Sequence, residues 1–262
     1  MKRVFGQFAL SLLLLLGCKS LWCQSGAATQ AETLKTQNSG AVKINALITQ
    51  ANTAMSAKNW QDAISPLTEL VILAPDNWQY LSNLGDAQLN TGKYQDAVQT
   101  YSKGIQLAQN VVSGATPPDP HKPWTDPAQA KTGLGKMLAN EGNAYLKLRK
   151  NIEAVAAYNK AAEIDPNPAV AYFNLCATQY NMGEMDGALS ACNKAIQYDP
   201  NKADAYFIKG STLFSLGKVD AHGKYILPAG TIEALQTYLK LSPNGAHVSD
   251  VKAMLDAVGT TP

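Results

Sequence analysis

Three histidines and four cysteines are the residues of this sequence best suited to metal binding or nucleophilic chemistry. His121, His222 and His247 have no cysteine or carboxylate at the spacing that metal ligation needs, so we expect surface histidines. The sequence also lacks a nucleophile elbow, a phosphate-binding glycine loop and a paired-carboxylate motif. We therefore expect no metal site, no cofactor and no enzyme, since catalysis would need a reactive constellation built by irregular insertions.

The N-terminus has the features of a secretory signal peptide over residues 1–25. Lys2 and Arg3 form a basic start, and the stretch from Phe8 to Leu16 is almost continuously apolar. Because this run is well short of the roughly 20 residues that span a bilayer, a permanent transmembrane anchor is the weaker interpretation. The sequence predicts an exported protein, located in the periplasm, at the outer membrane or at the cell surface.

Two kinds of signal cleavage are compatible with this segment. The residues Leu15-Leu16-Gly17-Cys18 resemble a bacterial lipobox, in which Cys18 is acylated and becomes the mature N-terminus. The apolar pair Leu21-Trp22 is unusual after a lipidated cysteine and favours the alternative, cleavage near Ser25 or Ala27. Both alternatives lead to export, and the expected membrane attachment is limited to a lipid anchor at Cys18.

The composition argues against two broad classes of protein. A disordered chain is not expected, because 46% of the 262 residues are apolar and can bury a substantial core. A net charge of +2 with 16% charged residues gives no basic surface for nucleic acid. Residues 26–40 differ from the rest, since they are rich in Ser, Ala, Thr, Gln and Asn without helical apolar spacing, which predicts a flexible tether.

A repeat organises most of the remaining chain. Ala63 and Ala97 are 34 residues apart, and Ala154 and Ala188 are again 34 residues apart. Four residues beyond each alanine stands a larger side chain: Leu67, Tyr101, Tyr158 and Cys192. Twelve residues beyond three of the alanines stands a proline: Pro75, Pro166 and Pro200. This pattern resembles the tetratricopeptide repeat, and the resemblance implies an all-α, right-handed superhelical solenoid of helical hairpins.

The resemblance divides residues 41–258 into five units and a cap. The units cover about 44–77, 78–111, 135–168, 169–202 and an interrupted 203–243. Small residues such as Gly85 and Gly142 allow the two helices of a unit to approach closely, while Glu141 stands where leucine is usual. Val251, Met254, Leu255 and Val258 have helical spacing, which predicts a capping helix over 247–258.

Two insertions break the period. Prolines at four positions between 117 and 123 exclude a helix from the insertion 112–126, which we expect to be a surface loop that interrupts contact between units two and three. Trp124 either holds this loop on the solenoid, which we favour, or is an exposed contact for a partner. Asp126-Pro127 is typical of a helix start. The insertion 220–231 is expected to be an extended or hairpin-like loop.

The resemblance also implies where a partner binds, namely the concave groove lined by the first helix of each unit. Asparagines at one shared position are expected to bond a peptide backbone there, although asparagine is also common at this solvent-facing place: Asn83, Asn140 and Asn174. Four aromatic residues are expected to form the main apolar contact: Phe173, Tyr180, Phe207 and Phe214. Alternatively, the C-terminal helix or residues 223–228 fold over the last two rings as part of the cap.

Cys176 and Cys192 take facing positions of the two helices of unit four in this family pattern. An exported protein meets an oxidising compartment, so a disulfide is predicted, with two buried free thiols as the alternative. We expect an exported scaffold that binds peptides or partner proteins in its groove. The alternative is an outer-membrane lipoprotein that acts in envelope assembly and is tethered through Cys18.

Overall fold

Helices, most of them joined by short turns, make up most of the described part of this chain. The computed structural model describes residues 40–223 and 225–260. Its α-helices, in chain order, are α1 (residues 40–56), α2 (Trp60–Leu73), α3 (Trp78–Asn90), α4 (Tyr94–Val112), α5 (Pro127–Lys147), α6 (Asn151–Ile164), α7 (Ala169–Met182), α8 (Met185–Tyr198), α9 (Ala203–Ser215), α10 (Thr231–Leu241) and α11 (Val248–Ala257). They form an all-α solenoid, as the sequence predicted.

The first four helix pairs are closed by very short turns. Each turn contains one residue with a left-handed backbone, at φ angles of 58°, 81°, 59° and 78° for Lys58, Gly92, Arg149 and Gly183. Glycine adopts this conformation without a steric penalty, while lysine and arginine do so at a small cost. The chain therefore reverses within a few residues, and the two helices of each pair lie antiparallel.

A glycine beneath a tyrosine sets the close approach of the helices in units two and three. A Cβ atom added at Gly85 would lie 2.5 Å from Tyr101 Cε1, and one at Gly142 would lie 2.6 Å from Tyr158 Cε1. Both rings are fully buried. A side chain at either glycine would displace a core ring, so these positions require glycine.

Units two and three stack directly, which corrects one sequence prediction. Tyr101 and Ile105 of α4 share a hydrophobic core with Leu134 and Met137 of α5. The insertion after α4 therefore does not interrupt contact between the units, because it protrudes from the edge while the helices on either side stay packed. A stacked neighbour is what each hairpin needs to bury its apolar face.

The end of this insertion follows the predicted helix start. A short 3₁₀ turn at Pro123–Thr125 precedes α5, which begins at Pro127. The carboxylate of Asp126 accepts a hydrogen bond of 2.8 Å from the backbone N–H of Gln129, so Asp126 is the N-cap. The sequence prediction for this pair is confirmed.

The second insertion forms a small β-hairpin between α9 and α10. Strand β1 (Lys218–Val219) pairs antiparallel with β2 (Tyr225–Ile226). After α10 the chain turns into α11, whose Val251 and Leu255 are fully buried against α10. Helix α11 thereby covers apolar surface that a further repeat would otherwise bury.

Several sequence predictions fall on residues 1–39, which lie outside the described part of the chain. They are the predicted signal peptide, Cys18 and nearly all of the predicted tether. Within residues 40–223 and 225–260, the helices are too short or too polar to cross a membrane. The same residues contain no cluster of three or more metal-ligating side chains.

Candidate functional site

A groove of about 640 Å³ lies between α3 and α5, the first helices of units two and three. It exists because α5 begins at Pro127, eight residues before the repeat period starts unit three at 135. The additional two turns of helix extend one wall of the groove. We call it the α3–α5 groove, and its lining is Trp78, Gln79, Ser82, Asn83, Ala128, Gln129, Thr132, Gly133 and Lys136.

Five of the nine residues of this lining have uncharged polar side chains. Gln79 Nε2 donates a hydrogen bond of 3.3 Å to Gln129 Oε1, which links the two walls. Asn83 is half-buried, and its side chain has no hydrogen-bond partner within the described residues. Its amide can therefore donate one bond and accept another, which matches the backbone groups of an extended peptide.

Asp86 is the electrostatic centre at the edge of the groove. Its carboxylate accepts hydrogen bonds from Tyr101 Oη at 2.6 Å, Lys136 Nζ at 2.7 Å and Asn140 Nδ2 at 2.9 Å. The Asp86 side chain is 12% exposed and that of Lys136 is 56% exposed, so the lysine is the solvent-facing partner of this ion pair. Burial, with the nearby Asp86 charge, raises the pKa of Tyr101 well above its usual value, which keeps this phenol a donor.

The three predicted asparagines are not equivalent. Asn140 donates to Asp86, and its side-chain oxygen accepts a bond of 3.3 Å from Asn143 Nδ2. Asn140 therefore serves the contact between units two and three, and its assignment to the peptide-binding set stays a prediction. Asn174 on α7 is half-buried, but it lies outside the α3–α5 groove. Of the three, Asn83 lines this groove.

The four aromatic residues predicted to line the groove also differ in their surroundings. Phe207 stacks face to face on His247 with ring centroids 3.8 Å apart, and it contacts Tyr238 at 5.6 Å. Phe214 contacts Tyr225 of the hairpin at 5.7 Å. These two rings pack against the C-terminal cap, which is the alternative that the sequence left open for them.

Phe173 and Tyr180 on α7 remain the candidates for an apolar contact with a partner. Both rings are half-buried beside the core of units four and five. Lys202 Nζ lies 4.5 Å from the centre of the Phe173 ring, a cation–π contact that leaves a charge at the border of the apolar surface.

Cys176 and Cys192 form a disulfide in the structure, with Cα atoms 5.0 Å apart. Their separation of 16 residues equals that of Gly85 and Tyr101 in unit two. The cysteines thus occupy the position where other units place a glycine beneath a tyrosine, so the covalent link replaces a ring contact.

Sequence reasoning missed the part that the first insertion plays. Trp78 Nε1 donates a hydrogen bond of 2.6 Å to the backbone oxygen of Trp124, and Trp124 packs against the core of units two and three. The favoured interpretation of Trp124, that it holds the loop on the solenoid, is confirmed. Because Trp78 also lines the α3–α5 groove, the insertion supports the groove from behind. The sequence feature that could have indicated this role was the early start of α5 at Pro127.

Three family models match this chain. Two are described as a tetratricopeptide repeat, over residues 48–111 and 169–202, and one as a TPR repeat, over residues 142–183. The chain is a tetratricopeptide-repeat protein. The matches leave residues 112–141 uncovered, which contain the first insertion and the early turns of α5.

Curated tetratricopeptide proteins resemble parts of this chain. The human small glutamine-rich tetratricopeptide repeat-containing protein beta is 34% identical over 67 residues, which are 26% of this chain and 22% of that protein. A TPR repeat-containing protein of Methanocaldococcus jannaschii is 29% identical over 108 residues, 41% of this chain and 25% of that protein. The chain thus spans a quarter or less of these relatives' length.

Solved tetratricopeptide structures resemble most of the described fold. The crystal structure of MamA has a TM-score of 0.56 at 18% identity and covers 77% of this chain and 92% of MamA. YrrB, a TPR protein with an unusual peptide-binding site, has a TM-score of 0.54 at 18% identity and covers 78% of this chain and 88% of YrrB. At such identity the likeness shows the fold.

Proposed function

We propose that this tetratricopeptide protein is an exported scaffold that binds extended peptide segments of partner proteins on its concave face. The observation that carries the proposal is the α3–α5 groove, where Asn83 offers an unpaired amide beside other uncharged polar side chains. The unusual peptide-binding site of YrrB, which shares this fold, supports the same kind of ligand. Phe173 and Tyr180 supply an apolar contact farther along the solenoid.

Peptide-array binding tests this proposal. Arrays of overlapping peptides from envelope proteins are probed with the wild type and with Asn83→Ala, whose loss of two hydrogen bonds should weaken bound peptides about tenfold. Asn159→Ala, at an exposed position of α6, is the matched control and should bind as the wild type does. Binding that is equal in all three proteins would exclude the groove.

The apolar contact needs its own variant. Phe173→Ala combined with Tyr180→Ala should lose partner binding with a smaller fall in melting temperature than the loss of a fully buried ring, because both rings are only partly buried at the edge of the core. A large fall in melting temperature would instead place these rings in the structural core, and the proposed contribution to binding would then be abandoned.

Export and the form of the mature N-terminus are part of the proposal. The signal over residues 1–25 supports export, and Leu15-Leu16-Gly17-Cys18 supports the alternative of an outer-membrane lipoprotein that assists envelope assembly. Mass spectrometry of the protein recovered from the envelope separates them. A free N-terminus near Gly26 supports the unattached scaffold, and a diacylglyceryl group on Cys18 supports the lipoprotein.

A further inference from the structure

A second depression adjoins the α3–α5 groove at Gln129. Its volume is about 400 Å³, and it lies on the first insertion and the start of α5. Because Gln129 lines both the groove and this depression, a peptide that lies along the groove and extends past Gln129 reaches the insertion. We call it the proline depression, since three exposed prolines form the apolar part of its lining: Pro118, Pro120 and Pro123.

Carboxylates outnumber ammonium groups around the proline depression. Asp119 and Asp126 line it, and neither forms an ion pair within residues 40–223 and 225–260. The ammonium of Lys122 lies in the same lining, but it is already paired with Asp76 at 2.7 Å. Asp76, and to a smaller extent Asp119, raise the pKa of Lys122. The N-terminus of α5 adds only about half a positive charge, so the depression stays net negative.

Hydrogen bonds from the backbone hold both carboxylates in place. Asp119 Oδ1 accepts the backbone N–H of His121 at 2.8 Å, and the Asp119 backbone N–H donates to the buried Thr125 hydroxyl at 2.7 Å. Asp126 Oδ1 accepts the backbone N–H of Gln129 at 2.8 Å. The second oxygen of each carboxylate has no hydrogen-bond donor within the described residues. Each carboxylate is therefore positioned in advance for a cationic donor.

A long basic side chain matches this combination of proline rings and carboxylates. Lysine and arginine lay an apolar stem along apolar surface and keep the charged end in water, and both donate hydrogen bonds to carboxylates. We propose that the proline depression binds a lysine or arginine side chain of the peptide held in the α3–α5 groove. The scaffold then prefers peptides with a basic residue at a fixed distance from the segment bound by Asn83. This inference rests on the proposed function, because it adds specificity to the same groove.

Peptides that differ in one charge test the proposal. The array peptide that the wild type binds most tightly is synthesised with arginine at each position in turn, and with citrulline, the neutral isostere of arginine, at the same positions. Fluorescence anisotropy measures each Kd. At about 0.01 M salt, arginine should bind about two- to fivefold more tightly than citrulline at one or two adjacent positions, and the difference should vanish at about 1 M salt. Equal affinities at every position would overturn the proposal.

Two double variants locate the preference. Asp119→Asn combined with Asp126→Asn removes both charges, while asparagine still accepts the same backbone bonds and caps α5. This variant should bind the arginine and citrulline peptides equally. Asp186→Asn combined with Asp256→Asn, at exposed positions of α8 and α11, changes the net charge by the same amount and should keep the arginine preference. A preference that survives in the first variant would refute the assignment.

The outcomes also separate this inference from the proposed function. If no array peptide binds, or if Asn83→Ala leaves binding unchanged, the proposed peptide groove fails and this inference fails with it. Binding that Asn83→Ala weakens but that shows no arginine preference refutes the role of the proline depression alone.

Discussion

At the scale of single residues, the two buried tyrosines of units two and three make the same ring contact but different hydrogen bonds. Tyr101 Oη donates to the charged Asp86 at 2.6 Å, whereas Tyr158 Oη donates to the neutral amide of Asn143 at 2.7 Å. Bonds to charged groups contribute more than bonds between neutral groups. The same substitution should therefore have different costs in the two units.

Replacement of each tyrosine by phenylalanine tests this difference. Tyr101→Phe should destabilise the fold by about 1.5–3 kcal/mol, because it leaves the nearly buried Asp86 with one donor fewer. Tyr158→Phe, the matched control with the same ring burial, should cost about 0.5–1.5 kcal/mol. Denaturant unfolding of both variants measures the difference, and equal costs would show that the charge of Asp86 adds nothing.

Glu141 shows the cost of a carboxyl group at a buried position where the repeat usually has leucine. The residue is 8% exposed, and Ser102 Oγ donates to its Oε1 at 2.6 Å. Burial raises the pKa of Glu141 above its ordinary value of 4.5, and the Ser102 bond and the Lys160 charge partly oppose that rise. The folded state thus favours the neutral acid more than the unfolded state does.

The sign of the pH dependence follows from this raised pKa. The contribution of Glu141 to stability is greatest below its ordinary pKa and is lost as the pH rises through its higher folded pKa. Glu141→Gln removes this loss, so its melting temperature should exceed that of the wild type by more at about pH 7 than at about pH 4. Glu163→Gln, at an exposed site on α6, should show no such trend in thermal unfolding.

At the scale of elements, the C-terminal cap is held by two of the four aromatic residues that the sequence assigned to the groove, Phe207 and Phe214. Phe207→Ala removes the stack on His247 and should destabilise the protein by about 2 kcal/mol, or lower the melting temperature by roughly 4–8 °C. Peptide binding at the α3–α5 groove should not change. Calorimetry together with the peptide arrays checks both statements, and lost binding with an unchanged melting temperature would return Phe207 to the groove.

The disulfide of unit four belongs to the same scale, because it joins α7 to α8. Alkylation of denatured, unreduced protein followed by peptide mapping should find neither Cys176 nor Cys192 modified. Reduction should destabilise the fold by about 3 kcal/mol through release of a loop of this length. Labelling of both cysteines without reduction would show free thiols and remove the predicted bond.

At the scale of the whole molecule, the fold class could be predicted because the same core residues recur in successive units. Ala97 and Tyr101 recur as Ala154 and Tyr158, and each unit buries them against its own partner helix. The partners of Asn140 and Phe207 could not be predicted in the same way. Asp86 and His247 reach them from other units or from the cap, and a 34-residue pattern carries no information on such contacts.

The insertions were the other feature whose contacts could not be predicted from the sequence. Proline density located the loop between α4 and α5 correctly, but it does not reveal that Trp124 would pack beneath it while the helices on either side stay in contact. Whether a loop separates or braces its neighbours depends on long-range contacts such as Lys122 with Asp76.

The covalent link between α7 and α8 also has a mechanical consequence. When a solenoid is pulled by its two ends, each hairpin can unravel and lengthen the chain. The bond between Cys176 and Cys192, which are 16 positions apart, would withhold the segment between them from that extension. In a force-spectroscopy trace, reduction should add about 50 Å to the final contour length. Unit four would thus be the one part of the described solenoid whose stretch under load depends on the redox state of its surroundings.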